Sequence, residues 1–103
     1  MTDPDFETVL TDAAVQVAAA LREQVAPPTQ WEVLTERLGP PDDPDAPVVL
    51  IVRLTRPVGT RTYRWMHVVS PYLVRDSAVG AAGVVRMLLR DWGNALIQAL
   101  ESP

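Results

Sequence analysis

The segment VVLIVRLT, residues 48–55, constrains the fold of this chain more than any other stretch. It is continuous and rich in β-branched residues, which is typical of a central strand. The preceding GPPDDPDAP, residues 39–47, predicts an exposed loop, because its prolines and glycine cannot hold a hydrogen-bonded ladder. The RPVG that follows predicts a turn, and TRTYRWMHVV, residues 60–69, predicts the returning strand.

A helix and a further strand are predicted before this hairpin. Residues 3–26 predict the helix, since Asp3 is a good N-cap and Pro4 suits the first helical position. Apolar residues then recur at helical spacing, and the two prolines at 27 and 28 end the helix. The β-rich stretch that follows predicts a strand at 30–38.

Residues 71–101 predict the last helix, because their apolar side chains recur at positions i, i+3, i+4 and i+7. A break near 76–80, with a short first piece at 71–76, is the alternative. Gly80 and Gly83 would let the helix approach another backbone closely, including across a dimer. We therefore predict both glycines at a partner interface.

These elements predict one domain, residues 1–103, with the order α-β-β-β-α. Its strands are expected at 30–38, 48–56 and 60–69. The predicted fold class is α+β, in two layers, with an antiparallel three-stranded sheet and both helices on one face.

Composition narrows the possible functions. The net charge of −4 opposes generic nucleic-acid binding, which needs a basic footprint. All nine basic residues are arginine, which indicates GC-rich codons and a high-GC bacterial or phage origin. No cysteine offers a disulfide or a thiolate ligand, no apolar run suits a membrane span, and the acidic N-terminus does not resemble a signal peptide. We expect a cytoplasmic or virion-associated protein.

The register of the hairpin decides which side chains share a face. With a two- or four-residue loop at 57–60, we predict Arg56 opposite Arg61 and His67 opposite Leu50. One face then carries a set of apolar and aromatic side chains: Leu50, Val52, Leu54, Tyr63, Trp65 and His67, joined by Trp31 and Val33. This set predicts a core face under the two helices rather than an aromatic platform for a ligand.

The second face is the predicted partner surface. Its apolar part comprises Leu34, Val49, Ile51, Met66 and Val68. Its charged part places Arg53 beside Arg64, with Glu32 and Glu36 as compensating carboxylates. The alternative is that the chain termini or the loop at 39–47 cover this face. Burial of both Ile51 and Met66 within one monomer would contradict a partner surface there.

No constellation of residues predicts chemistry. His67 is the only histidine, and we expect it to be a half-buried structural residue rather than a catalytic or zinc-binding one. The carboxylates Asp42, Asp43 and Asp45 lack the glycine turn and distal glutamate of a calcium loop. GAAG, residues 80–83, does not resemble a phosphate loop. We predict no catalytic residue, no metal site and no cofactor.

The basic residues of the last helix are interpreted as a solvated face. Arg86 and Arg90 lie one turn apart and form its basic stripe, with Arg75 nearer the start. Asp76 and Asp91 dilute this charge.

The function predicted is therefore a non-catalytic interaction or assembly module that binds itself or another protein. A small virion assembly or head–tail joining component suits the size and element order, by analogy alone. The alternative is a nucleic-acid-binding domain, because double-stranded-RNA-binding domains and a family of small nucleoid-associated proteins share this element order. The sequence SPYLVRDSAV opens the last helix with only Arg75, where the former family has a basic cluster.

Overall fold

The computed structural model describes residues 6–40, 42–43, 45–76 and 78–101. Its elements follow in the order α1 (Phe6–Gln24), β1 (Gln30–Arg37), β2 (Val48–Val58), β3 (Arg61–Val69), α2 (Pro71–Asp76) and α3 (Gly80–Glu101). The strands form one antiparallel sheet in the order β1-β2-β3. The predicted α+β class and the order α-β-β-β-α are confirmed.

Helix α1 packs one apolar stripe onto the sheet and onto the other helices. The buried residues of this stripe are Val9, Leu10, Ala13, Val17, Ala20 and Leu21. The predicted N-cap at Asp3 and Pro4 lies outside the described residues. At the other end, Val25 N–H still donates to Leu21 C=O at 2.8 Å, and the cis Pro27–Pro28 peptide follows.

The β2–β3 hairpin is longer than predicted and turns more tightly. Strand β2 continues to Val58, so only Gly59 and Thr60 form the loop. Gly59 has a φ of +62°, a left-handed conformation that glycine adopts without a steric penalty. Pro57 is tolerated within β2 because it lies beyond the last β1 partner, where β2 has only one neighbouring strand.

The tight loop corrects the predicted register by two residues. Arg61 lies opposite Val58 rather than Arg56, and His67 lies opposite Val52 rather than Leu50. Because side chains alternate between faces with a period of two, this correction changes the pairs but leaves each residue on its predicted face.

The helices cover one side of the sheet, which we call the closed face. Leu50, Val52 and Leu54 of the central strand point to this side and are fully inaccessible to solvent. The aromatic side chains that pack at the margin of this core are Phe6, Trp31, Tyr63 and Trp65. The Tyr63 hydroxyl donates to Ala95 C=O of α3 at 3.2 Å, which satisfies its polar end.

The last helical region consists of two helices. Gly80, with a φ of +65°, begins α3 and changes the chain direction after α2. Gly83 is buried, and a Cβ atom there would overlap the side chain of Val79. Both glycines therefore have a role within the chain, while their place at a partner interface stays a prediction.

Candidate interaction surface

The side of the sheet opposite the helices, the open face, carries side chains in rows across the three strands. The rows are Gln30, Thr55 and Arg64; then Glu32, Arg53 and Met66; then Leu34, Ile51 and Val68; and finally Glu36 beside Val49. None of these residues belongs to the helix-covered hydrophobic core of the described chain.

The apolar part of the open face is exposed at its edge and buried at its centre. Met66 is 59% exposed and Val68 is 53% exposed, whereas Ile51 is only 6% exposed. Ile51 lies on the central strand between Leu34 and Val68, so neighbours within the same face shield it. Of the two residues whose joint burial would contradict a partner surface, only Ile51 is buried.

The charged part of the open face differs from the prediction. Arg53 lies opposite Met66, and Arg64 lies opposite Thr55, so the predicted Arg53–Arg64 pair is wrong. The cause is the two-residue loop, which moves each β3 partner by two positions. Glu36 lies opposite Val49 and supports neither arginine across the strands.

One ion pair of the predicted charge ladder is present. Arg53 Nη1 lies 3.3 Å from Glu32 Oε2. Both side chains are substantially exposed, so the pair contributes about 0–1 kcal/mol to stability. Arg64 has no ion-pair or hydrogen-bond partner among the described residues and borders a shallow groove with Thr55 and Met66.

A second feature, missed by sequence reasoning, is a small cleft of about 140 Å³ between β3, α2 and α3. Its polar lining is His67, Ser70 and Asp91, and its apolar lining includes Leu73 and Met87. The sequence did not indicate this cleft, because its walls come from two helices whose relative placement depends on the turn between α2 and α3.

The expected burial of His67 is wrong. The side chain is exposed and stacks on Trp65 with ring centroids 5.4 Å apart and an interplanar angle of 15°. Strand β3 is an edge strand, and His67 lies at the cleft between β3, α2 and α3, where its side chain stays exposed although Val69 beyond it is buried.

The cleft places a serine, a histidine and a carboxylate, the residue types of a nucleophilic triad, around one cavity. Such a triad needs the imidazole hydrogen-bonded to both partners. Within the described residues, His67, Ser70 and Asp91 are all exposed, and no side-chain hydrogen bond joins them.

The acidic loop is held by hydrogen bonds that involve side chains. Asp43 Oδ1 accepts a hydrogen bond from Asp45 N–H at 2.9 Å, and the Arg37 guanidinium donates to Asp43 C=O at 3.0 Å. Across the described ranges, with their gaps at 41, 44 and 77, no three His, Cys, Asp or Glu side chains are grouped to hold a metal ion.

The helical arginines lie outside the open face. Arg75 donates two hydrogen bonds to the Asp76 carboxylate, at 2.7 and 3.0 Å, and this contact lowers the pKa of Asp76. The guanidinium also lies 5.0 Å from the centre of the Tyr72 ring. Arg86 and Arg90 are exposed on α3, as a solvated helix face requires.

The helices in the described part of the chain lack the combination of length and apolar character needed to cross a membrane.

Comparison with known proteins finds no relative of this chain. No protein-family model, no curated protein and no solved structure matches the chain.

Proposed function

We propose that this protein is a non-catalytic interaction and assembly module that associates with itself through the open face of its sheet. The carrying observation is the row of Leu34, Ile51 and Val68, with Met66 beside it, on a face that no described helix covers. A sheet face that remains in water is normally polar, and a monomer seldom exposes a contiguous apolar patch.

The wider setting of this module is also a proposal. A chain of 103 residues with this element order suits a small virion assembly or head–tail joining component, in the cytoplasm or on the virion. The support is analogy at the level of fold and the inferred GC-rich origin.

Nucleic-acid binding is the alternative, and the distribution of charge weighs against it. Arg53 and Arg64 lie on the open face, whereas Arg56 and Arg61 have the parity of the closed face. Arg53 is further neutralised by Glu32. A phosphate backbone needs a continuous basic surface, and these four arginines do not combine into one.

The absence of catalysis is likewise part of the proposal and has its own test. The exposed cleft around His67, Ser70 and Asp91 is the place where an acyl-transfer activity would arise. We expect no labelling of Ser70 by a fluorophosphonate probe, with Ser70→Ala as the control. Labelling of Ser70 that disappears in His67→Ala would contradict a non-catalytic role.

Solution mass across protein concentration tests self-association. We expect light scattering to show a mass above the 11.3 kDa monomer that rises with concentration. Met66→Asp should return the protein to monomer, since it places a charge in the apolar patch without touching the closed-face core. Val15→Asp is the matched control, because Val15 is an equally exposed apolar residue on α1, away from the open face.

A monomeric mass at every concentration would overturn self-association. Dissociation by Val15→Asp to the same extent as by Met66→Asp would also overturn the assignment to the open face. Circular dichroism of each variant establishes that the loss of mass is not a loss of fold.

A further inference from the structure

The open face has an uneven distribution of charge. On this face β1 contributes the carboxylates Glu32 and Glu36 and no basic residue. Strand β2 contributes Arg53, and β3 contributes Arg64 and no acidic residue. The face is therefore acidic along one edge, basic along the other, and neutral in total. Such a surface is complementary to a copy of itself if the two opposite edges meet.

We infer that the open face is covered by a second copy of this chain, related by a two-fold axis that runs parallel to the strands between the two sheets. This inference rests on the proposed function and specifies its partner and geometry. Two sheets that pack face to face through a two-fold axis must have that axis in the plane between them. The direction of the axis within this plane decides which strands meet.

An axis parallel to the strands places β1 of each copy over β3 of the other, with the rows kept level. Leu34 then packs against Val68 of the second copy, and Ile51 packs near its own symmetry mate. Arg64 of the second copy lies over Gln30 and diagonally beside Glu32. In the row of Leu34, Ile51 and Val68, apolar side chains thus meet apolar side chains. Met66 of the second copy lies over Glu32, and the guanidinium of Arg64 reaches toward the same carboxylate.

An axis perpendicular to the strands would instead place β1 over β1. The carboxylates of Glu32 and Glu36 would then face those of the second copy, and like charges in contact disfavour association. The axis parallel to the strands does bring the two Arg53 side chains near each other, but Glu32 of the same chain neutralises each guanidinium and holds it toward β1. The charges therefore select the axis that brings opposite edges together.

The dimer is expected to be weak. Three strands spaced by about 4.8 Å, each contributing three or four side chains, give a footprint well below the roughly 800 Å² per partner of a standard interface. Mass should therefore depend on protein concentration, and the contribution of the Glu32–Arg64 contacts should fall as salt rises.

A charge-swap experiment tests this geometry. Glu32→Arg and Arg64→Glu should each weaken the homodimer about tenfold or more, because each variant meets its own copy with like charges. An equimolar mixture of the two should restore association. In the mixed dimer one contact between positions 32 and 64 is native and the other is reversed, so both join opposite charges. Native mass spectrometry separates the mixed dimer from either homodimer, and sedimentation at low and high salt measures the affinity.

Arg61→Glu is the matched control, because it makes the same charge change on β3 at a position with closed-face parity. Arg61→Glu should dimerise like the wild type, and its mixed dimer with Glu32→Arg should stay weaker than the mixed dimer of Glu32→Arg and Arg64→Glu, because one of its two contacts still joins like charges. Full recovery in the mixture with Arg64→Glu, but not in the mixture with Arg61→Glu, would support the inferred axis. Damage to either variant cannot explain such a recovery.

Two outcomes overturn the inference, and they are distinguishable. If the wild-type protein dimerises and Met66→Asp dissociates it, but the charge-swapped mixture does not recover, then the axis is wrong and the proposed function stands. If the wild-type protein is monomeric at every concentration, then the self-association in the proposed function is wrong as well.

Discussion

The two faces of the sheet are built from the same three strands but differ in how far their side chains are buried. On the closed face, Leu50, Val52 and Leu54 are completely inaccessible under the helices. On the open face, Ile51 is buried at the centre of the sheet, while Met66 and Val68 stay more than half exposed. Strand β2 supplies apolar side chains to both faces, but the helices of one chain cover only one of them.

This difference shows how an apolar strand pattern can serve two purposes. Burial on the closed face stabilises the monomer, because it removes large side chains from water without a partner. On the open face Ile51 is buried in the monomer, but Val68 and Met66 are not, so the free energy of burying those two side chains remains available to an interface.

The largest effect expected from this contrast is a cavity under the helices. Leu54→Ala should lower the free energy of unfolding by about 2–5 kcal/mol, since the surrounding core relaxes only partly around the missing atoms. Chemical denaturation of dilute, monomeric protein measures the change. Val68→Ala on the open face is the control and should stay within about 0.5 kcal/mol. Similar losses for both variants would erase the distinction between the faces.

An intermediate effect is expected at the centre of the open face. Ile51→Ala should cost about 1–3 kcal/mol, less than Leu54→Ala, because the shortened side chain leaves a dent that neighbours and water can fill. The same denaturation experiment at low and high protein concentration sharpens the test. We expect the cost to grow with concentration, because the variant also weakens the dimer. A cost independent of concentration would show that Ile51 acts only within the monomer.

The hairpin turn, which aligns the two faces, should tolerate a side chain poorly. Gly59→Ala should destabilise the protein by about 1–2 kcal/mol, because φ is +62° there although no atom lies within 4 Å of an added Cβ. Gly93→Ala is the control, since it lies in α3 with equal space and should stabilise the helix by about 0.5–1 kcal/mol. A stabilising Gly59→Ala would show that the turn adopts a different backbone conformation.

The smallest effect is expected outside both faces. Arg75→Gln should raise the pKa of Asp76 toward its ordinary value, because the lost hydrogen bonds favoured the charged carboxylate. A depressed carboxylate pKa contributes stability above its unfolded value and loses it as pH falls through the folded pKa. The variant should therefore lose this contribution at neutral pH and flatten the acid limb of the stability curve. NMR titration of Asp76 measures the shift; an unchanged pKa would contradict the contact.

Sequence reasoning succeeded where a short-range rule decides the outcome. Alternation along a strand assigned Ile51 and Arg53 to one face and Leu54 to the other, whatever the length of an even-numbered loop. Sequence reasoning failed where the outcome depends on the exact length of a loop. The predicted pair Arg53–Arg64 was wrong, because the sequence RPVG does not distinguish a two-residue loop from a four-residue loop between β2 and β3.

The candidate interaction surface and the cleft beside it were likewise predictable only in part. The apolar open-face residues could be named from periodicity, but the exposure of His67 could not, because it depends on the cleft that the helices leave beside this edge strand. The cleft between β3 and the helices was also beyond prediction, since its walls are brought together by the turn at Gly80.

The amino-acid sequence by itself determined the order of helices and strands, the apolar character of both sheet faces and the presence of acidic and basic residues on the open one. These properties depend on local periodicity and on residue type. Only the tertiary structure decided how β3 is aligned with β2, which charge finds a partner within the chain, and which residues at the edge of the sheet stay exposed. Those outcomes depend on the closure of one turn and on the packing of helices that are distant in sequence, where small local differences become large displacements.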